Sequence, residues 1–135
     1  MTQLILHLLG DYVFQSDWMA QNKTKSTEAA FWHATVYSLP FLFIASWPAW
    51  LVIWSTHLLI DRFRLARFVV MAKNIIGDPG FWQSRNCDIR EHLIPRYQTA
   101  TGYPLDTPPW LAVWLMIAAD NTIHLAINAA SIAWL

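Results

Sequence analysis

The sequence predicts an all-α fold, an integral membrane bundle of about four helices, and three observations predict it. Hydrophobic residues make up 56% of the chain and charged residues only 13%, whereas about a quarter of an ordinary soluble chain is charged. The apolar residues lie in long segments rather than in short alternating runs. Histidine and aspartate recur four residues apart within these segments, which places the two on one face of a helix.

The first two predicted helices cover residues 2–22 and 27–46. The first is apolar up to Phe14 and polar after it, so it is barely long enough to span a membrane. Thr27 is predicted to cap the start of the second helix, and Pro40 to kink that helix rather than end it. The "SWP" sequence that follows predicts a tight reversal.

The third and fourth predicted helices cover residues 48–76 and 108–135. The third is too long to lie wholly in lipid, so its second half is expected to emerge before "GDPG" ends it. A polar loop over 77–107 follows, with one short amphipathic helix around "SRNCDIREHLI" that ends before Pro95. The fourth helix starts at consecutive prolines and is long enough to cross. The sequence therefore predicts a single helical membrane domain over 1–135.

The basic residues predict how this domain is oriented. Lys23 and Lys25 lie between the first two helices, and the other seven Lys and Arg lie between the cores of the third and fourth. The positive-inside rule then places both basic loops in the cytoplasm and both chain ends in the periplasm of a multi-pass bacterial inner-membrane protein. Formal net charge is zero and no basic patch forms, so the expected partner is membrane lipid and not nucleic acid. Association into a homo-oligomer is also compatible with the sequence.

The paired acids and histidines carry the prediction of chemistry. An unpaired ionised carboxylate is too costly to keep in an apolar medium, so it must be paired, protonated or bound to a metal. About 0.5 such pairs would arise by chance in this composition. The chain has four: His7/Asp11, His57/Asp61, Asp88/His92 and Asp120/His124. The Asp88/His92 pair lies in the polar loop, where a surface interaction is favoured.

The three other pairs predict one metal site within the bundle. A helical rise of about 1.5 Å per residue places them at overlapping depths, with His33 at the rim of the cluster. Imidazole and carboxylate together suit Zn²⁺ first, and also Mn²⁺ or Fe²⁺. The number of ligands is enough for two ions, an arrangement that hydrolyses phosphoesters. The predicted metal ligands are His7, Asp11, His33, His57, Asp61, Asp120 and His124.

Simpler interpretations of the same residues exist. Any one His/Asp pair can be a hydrogen bond that stabilises a helix or a contact between helices. Asp61 is followed by Arg62, Arg64 and Arg67, so it could be ion-paired at the membrane interface. This arginine series is also typical of contact with lipid headgroups.

The chain resembles, over most of its length, a family of small phage and bacterial multi-pass membrane proteins catalogued only as a domain of unknown function. The motifs that carry the resemblance are "HLLGDYVFQSDWMAQNK", "FWHATVY", "HLLIDRFRLARFVVMAKN" and "PPWLAVWLMIAADNTIHLAINA". It implies a multi-helix membrane protein and a common role for the polar residues His7, Asp11, Gln15, His33, His57, Asp61, Asp120 and His124. A weaker similarity links the His-x3-Asp helices to membrane-bound metal-dependent hydrolases and to the zinc phospholipase C and single-strand nuclease group. In that group such pairs hold zinc, although the third pair here is reversed.

The predicted function is an intramembrane metal-dependent hydrolase that acts on a lipid-borne ester or phosphoester. Water on the metal would attack, Asp11 or Asp120 would take the proton, and Arg62 or Arg64 would hold the headgroup. Two non-enzymatic interpretations stay open. The same residues could form a pathway for protons or divalent ions, or they could lock the helices of a phage structural or lysis-related factor.

Overall fold

The computed structural model describes residues 1–83 and 89–135, and within these ranges the chain is helical and contains no β-strand. This confirms the all-α prediction. The chain forms two compact units. Unit 1 comprises Met1–Leu65 and Thr122–Leu135, and unit 2 comprises Ala66–Asn121.

The predicted first helix is interrupted in unit 1. Helix α1 (Thr2–Leu8) continues into a π-helical turn over Leu9–Val13, and a separate helix α2 (Asp17–Asn22) follows. Ser16 causes this restart, because its extended backbone lets the side chain accept a hydrogen bond from the Met19 N–H. The chain over 2–22 is therefore three short helical pieces.

The predicted second helix is also shorter than expected. Helix α3 covers Thr27–Ser38, and its N-cap is Ser26, which accepts from the Ala29 N–H, rather than Thr27. Pro40 has no N–H to donate, and the chain tightens into a 3-10 helix over Leu39–Phe43 instead of continuing as a kinked α-helix.

The predicted third helix is two helices. Helix α4 covers Trp47–Phe63 and ends where Arg64 adopts a left-handed conformation with φ 52°. The Arg64 and Leu65 N–H groups then donate back to the Asp61 and Ile60 carbonyls, a Schellman-type end that replaces lost helical bonds. Helix α5 (Ala66–Gly77) follows as part of unit 2.

Unit 1 has a small aromatic core on which the site rests. Tyr37, Phe41 and Ile53 are fully buried, and Leu6, Trp50 and other half-buried apolar side chains pack against them. These residues come from α1, α3, the 3-10 helix and α4, so burial of their apolar surface fixes the relative positions of those elements.

Unit 2 contains more ordered packing than the predicted polar loop implies. It comprises α5, α6 (Pro79–Gln83), a π-helical turn over Ile89–Leu93, α7 (Ile94–Tyr97) and the first part of α8 (Pro109–Trp134). The helix expected to end before Pro95 instead runs on, because Pro95 occupies the first turn of α7, where no N–H is needed. The part of that prediction over 84–88 lies outside the described residues.

Among the described helices, only α8 is long and apolar enough to cross a membrane, by length and composition alone. Helices α1, α3 and α4 have 7, 12 and 17 residues, fewer than the roughly 20 that a span needs. A four-helix membrane bundle is therefore not confirmed. The multi-pass topology with both ends in the periplasm is not supported, since it depended on four complete spans.

Candidate metal centre

Four buried side chains of unit 1 point ligand atoms at one another. Asp11 lies in the first π-helical turn, His33 in α3, and His57 and Asp61 in α4. One atom from each lies within 4.8 Å of all the others, so the group could hold a metal ion. We refer to Asp11, His33, His57 and Asp61 as the tetrad.

The spacing within the tetrad matches the ligand shell of a small divalent ion. His33 Nε2 lies 2.9 Å from His57 Nε2, and 3.1 Å from both Asp11 Oδ1 and Asp61 Oδ2. His57 Nε2 lies 3.2 Å from Asp61 Oδ2 and 3.6 Å from Asp11 Oδ1. Ligands about 2.0 Å from a tetrahedral zinc ion are separated by about 3.3 Å, which falls inside this range.

Local structure explains how the tetrad assembles. His57 and Asp61 share a face of α4 because they are four residues apart. Asp11 reaches them because Gly10 lets the π-helical turn approach α3: a Cβ on Gly10 would lie 2.6 Å from Tyr37 Cδ2 and 3.1 Å from Tyr37 Cα.

Lys23 brings a positive charge to the tetrad. Its Nζ lies 3.0 Å from Asp61 Oδ2, 3.2 Å from His33 Nε2 and 3.8 Å from Asp11 Oδ1. Asp61 is thus ion-paired with Lys23, ten residues before His33, and not with an arginine that follows it. The single proton of His33 Nε2 cannot satisfy all the polar atoms within 3.2 Å, which belong to Asp11, Lys23, His57 and Asp61.

His7 lies behind Asp11 rather than among the tetrad. Its Nε2 is 3.6 Å from Asp11 Oδ2, while its Nδ1 is 2.8 Å from the Tyr37 hydroxyl. Asn128 Nδ2 donates to the same hydroxyl at 2.7 Å, which leaves the hydroxyl proton for His7 Nδ1 and directs the His7 Nε2–H at Asp11. Partners of this kind orient a ligand from behind.

His124 lies on the other side of Asp61. Its buried Nε2 is 3.6 Å from Asp61 Oδ1, and its ring centroid is 4.1 Å from that of His57. The Tyr37 ring stacks on His57 with centroids 3.6 Å apart. The imidazole of His57 is therefore held between two rings, and His33, predicted at the rim, is fully buried at the centre.

The remaining predicted residues lie outside the tetrad. Arg62 donates from Nε to Thr27 Oγ1 and from Nη1 to the Thr24 carbonyl, so it ties the end of α4 to the turn before α3. Arg64 is half-buried just after α4. Asp120 is half-buried in the part of α8 that belongs to unit 2. His92 is exposed, and its predicted partner Asp88 lies outside the described residues.

The sequence did not identify Lys23 or Tyr37 as residues of the site. Tyr37 carries a signal that would have found it, since it follows His33 by four residues and so shares its face of α3. Lys23 carries no such signal, because a lysine between two helices is typical of any solvated turn. Asn128 donates to the Tyr37 hydroxyl and so joins α8 to α3.

Comparison with known proteins gives a family without an assigned activity. Residues 1–94 match the family described as "Protein of unknown function (DUF3307)". No curated protein and no solved structure matches the chain. The matched range includes all four tetrad residues.

Proposed function

The chain belongs to the DUF3307 family, and from the geometry of its site we propose that the tetrad binds a divalent metal ion that hydrolyses a lipid-borne ester or phosphoester. One observation carries this proposal: four buried ligand atoms from three helical elements converge at separations of 2.9–3.6 Å. Burying two carboxylates and two imidazoles this closely is costly unless cations compensate them, and the single ammonium of Lys23 brings one positive charge against two carboxylates.

The chemistry of the ligands favours zinc, with manganese or iron as the other candidates. Two imidazole nitrogens and two carboxylate oxygens form a set that these borderline ions accept, and the tetrahedral spacing favours zinc. Structural zinc sites are most often built from thiolates. A set of nitrogen and oxygen ligands without thiolate is more typical of catalytic centres.

The lipid-borne substrate is proposed from the surface of the protein. Helix α8 has the length and composition of a span, and large apolar side chains elsewhere in unit 1 are exposed, among them Phe43 at 90% and Trp47 at 69%. Exposed apolar area on this scale marks contact with a membrane or another protein. A site in such a protein meets substrates that are dissolved in the bilayer.

The ion would polarise the substrate and lower the pKa of water toward neutrality. The protein's own residues do the rest: Asp11 would be one of the residues that hold the ion, and His7, 3.6 Å from Asp11 Oδ2, orients its carboxylate. Asp11 remains the proposed proton acceptor, and Arg64 remains the proposed contact for the headgroup. Arg62 is instead proposed to position the turn that it binds.

The proposal is tested by measuring metal in detergent-purified protein by inductively coupled plasma mass spectrometry. We expect at least one equivalent of zinc, manganese or iron in the wild type, and its loss in His33→Ala and Asp61→Asn. His92→Ala is the matched control, because His92 is an exposed histidine far from the tetrad in sequence. Metal-loaded protein should then release product from phospholipid micelles, and a chelator should stop it.

Absence of metal from protein purified without chelator would contradict the site. Full metal content without turnover of any phospholipid or lipid phosphate would contradict the hydrolase activity but would support the metal site. In the second case a pathway for ions or protons is favoured, since the hydrogen bonds from Asn128 through Tyr37 to His7 form a continuous polar chain ending near Asp11. Flux of protons or Zn²⁺ into liposomes measures that alternative directly.

A further inference from the structure

Lys23 lies against one face of the tetrad without being a ligand. Its Nζ lies 3.0–3.8 Å from one atom each of Asp11, His33 and Asp61, which together form one face of the tetrad. A cation at that position repels a metal ion at the centre and attracts any anionic group that lies between them.

Lys23 is also the most exposed of the charged and titratable side chains at the tetrad. The side chains of the four ligands are 0–7% exposed, whereas that of Lys23 is 19% exposed. A molecule that reaches the ion on the side of Lys23 therefore meets its ammonium.

The fold holds the backbone that carries Lys23 in place. Lys23 is the C-cap of α2, and its N–H donates to the Met19 carbonyl. The next turn is tied to α4 by Arg62, which binds the Thr24 carbonyl at 3.0 Å and Thr27 Oγ1 at 3.1 Å. The backbone that carries the ammonium is thus held on both sides.

We propose that Lys23 is the substrate-binding residue of the metal centre, and that its ammonium binds a phosphoryl oxygen of a phosphate ester seated on the Asp11–His33–Asp61 face. This inference rests on the proposed function, which it narrows from esters in general to phosphoesters. Because Lys23 opposes the ion and binds the anion, ion and anion bind cooperatively, and each raises the affinity for the other by the same factor.

Isothermal titration calorimetry of the full chain in detergent tests this coupling with zinc, in the presence and absence of methylphosphonate. In the wild type, methylphosphonate should tighten zinc binding by about fivefold or more. In Lys23→Met, zinc alone should bind about fivefold tighter than in the wild type, and methylphosphonate should tighten zinc binding by a clearly smaller factor than in the wild type. Lys25→Met is the control, since Lys25 is exposed in the same turn, and it should behave as the wild type.

The outcomes separate this inference from the proposed function. Zinc binding by the wild type with equal coupling in Lys23→Met would overturn the role of Lys23 and leave the metal site intact. Failure of the wild type to bind zinc, and equally manganese or iron titrated in its place, would overturn both. A further titration with short-chain phosphatidic acid identifies the source of the phosphate, because tighter binding than methylphosphonate indicates a lipid headgroup and equal binding a free phosphate monoester.

A measurement on the unmodified chain covers the case in which Lys23→Met does not fold. The chain has three lysines, and reductive methylation followed by mass spectrometry reports the reactivity of Lys23, Lys25 and Lys73 separately. Zinc with methylphosphonate should protect Lys23 and leave the other two reactive. Equal reactivity of Lys23 with and without the two ligands would overturn the inference.

Discussion

Gly10 shows how much of the site depends on a single residue. The π-helical turn that carries Asp11 approaches α3 so closely that a Cβ on Gly10 would meet the backbone and ring of Tyr37. No rotation of a flexible side chain relieves that contact, because one of the atoms is the Tyr37 Cα. The glycine therefore brings the two elements close enough for Asp11 to reach His33.

We expect Gly10→Ala to destabilise the protein by about 1–3 kcal/mol, as overpacked cores are, and to weaken zinc binding by moving Asp11 away. Thermal unfolding in detergent and zinc titration measure the two effects. Gly77→Ala is the matched control, since a Cβ there has no neighbour within 4 Å, and it should be neutral or slightly stabilising. An unchanged melting temperature for Gly10→Ala would contradict the close approach.

The residues of the site differ in how far the sequence alone predicts them. His57 and Asp61 are predictable because both lie in one helix, where spacing fixes the face. The contact of Lys23 with Asp61 joins residues 38 positions apart in different elements, and no periodicity encodes such a distance. His33 was placed at the rim because its depth was counted from a helix end, whereas packing on Tyr37 and His57 buries it completely.

At the scale of helical elements, the ends of helices are where prediction failed. The break after α4 depends on a left-handed Arg64, a conformation that costs a non-glycine residue about 1–2 kcal/mol and that sequence patterns do not signal. The hydrogen bonds from Arg64 and Leu65 to the preceding carbonyls offset that cost. Helix starts were predicted more closely: starts predicted at residues 27 and 48 are observed at Thr27 and Trp47, although the caps are Ser26 and Ser46.

Arg64→Gly should therefore stabilise the protein by about 1 kcal/mol, because glycine adopts this conformation without strain. Hydrolysis should fall in the same variant if Arg64 contacts the headgroup. Thermal unfolding should therefore show a higher melting temperature, and an assay of turnover should show a lower rate of hydrolysis. Arg67→Gly, inside α5, is the comparison and should destabilise by a similar amount. A lower melting temperature for Arg64→Gly would contradict backbone strain at the left-handed Arg64.

The corner between α5 and α6 predicts a dependence on pH. Asp78 accepts hydrogen bonds from the Tyr97 hydroxyl at 2.6 Å and from the Gly80 N–H at 2.8 Å. These bonds hold the pKa of the Asp78 carboxyl below its ordinary value of 3.8. A lowered pKa in the folded state contributes stability above the unfolded value, and that contribution is lost as the pH falls through the folded value.

In Tyr97→Phe, the pKa of Asp78 should rise toward 3.8, because the first of the two hydrogen bonds is gone. Carbon-13 NMR of the labelled carboxyl measures the titration. Tyr103→Phe is the control, since Tyr103 accepts from Lys73 in the same unit and does not contact Asp78 through any described hydrogen bond. An unshifted Asp78 in Tyr97→Phe would contradict a role of the Tyr97 hydroxyl in lowering its pKa.

At the scale of the whole molecule, composition predicted a helical and strongly apolar protein, and the number of spans was overestimated. Four apolar segments were counted as four crossings, yet serine caps, Pro40 and a left-handed residue divide three of them into shorter helices. Only α8 lacks such an interruption. Hydrophobicity predicts which segments avoid water, whereas helix length is decided by local backbone chemistry that composition does not record.

Helix α8 should anchor the protein in the membrane. Ala118→Arg places a charge near the middle of this helix, at a cost of about 3 kcal/mol for insertion into lipid, and should shift protein from the carbonate-resistant membrane fraction to the extractable one. Leu105→Arg is the control, because Leu105 is 91% exposed and precedes α8. Equal membrane retention of the two variants would contradict a span at α8.

The sequence positions of the tetrad have a consequence for folding. Asp11 and His33 are 22 residues apart, and His33 and His57 are 24 apart, so a single ion bound to the tetrad would close two successive loops of the chain. Such an ion acts as a cross-link, which adds to native stability with the logarithm of its concentration. The aromatic core that otherwise joins these elements contains only three fully buried side chains. The yield of folded protein should therefore follow the supply of metal in the cell during synthesis.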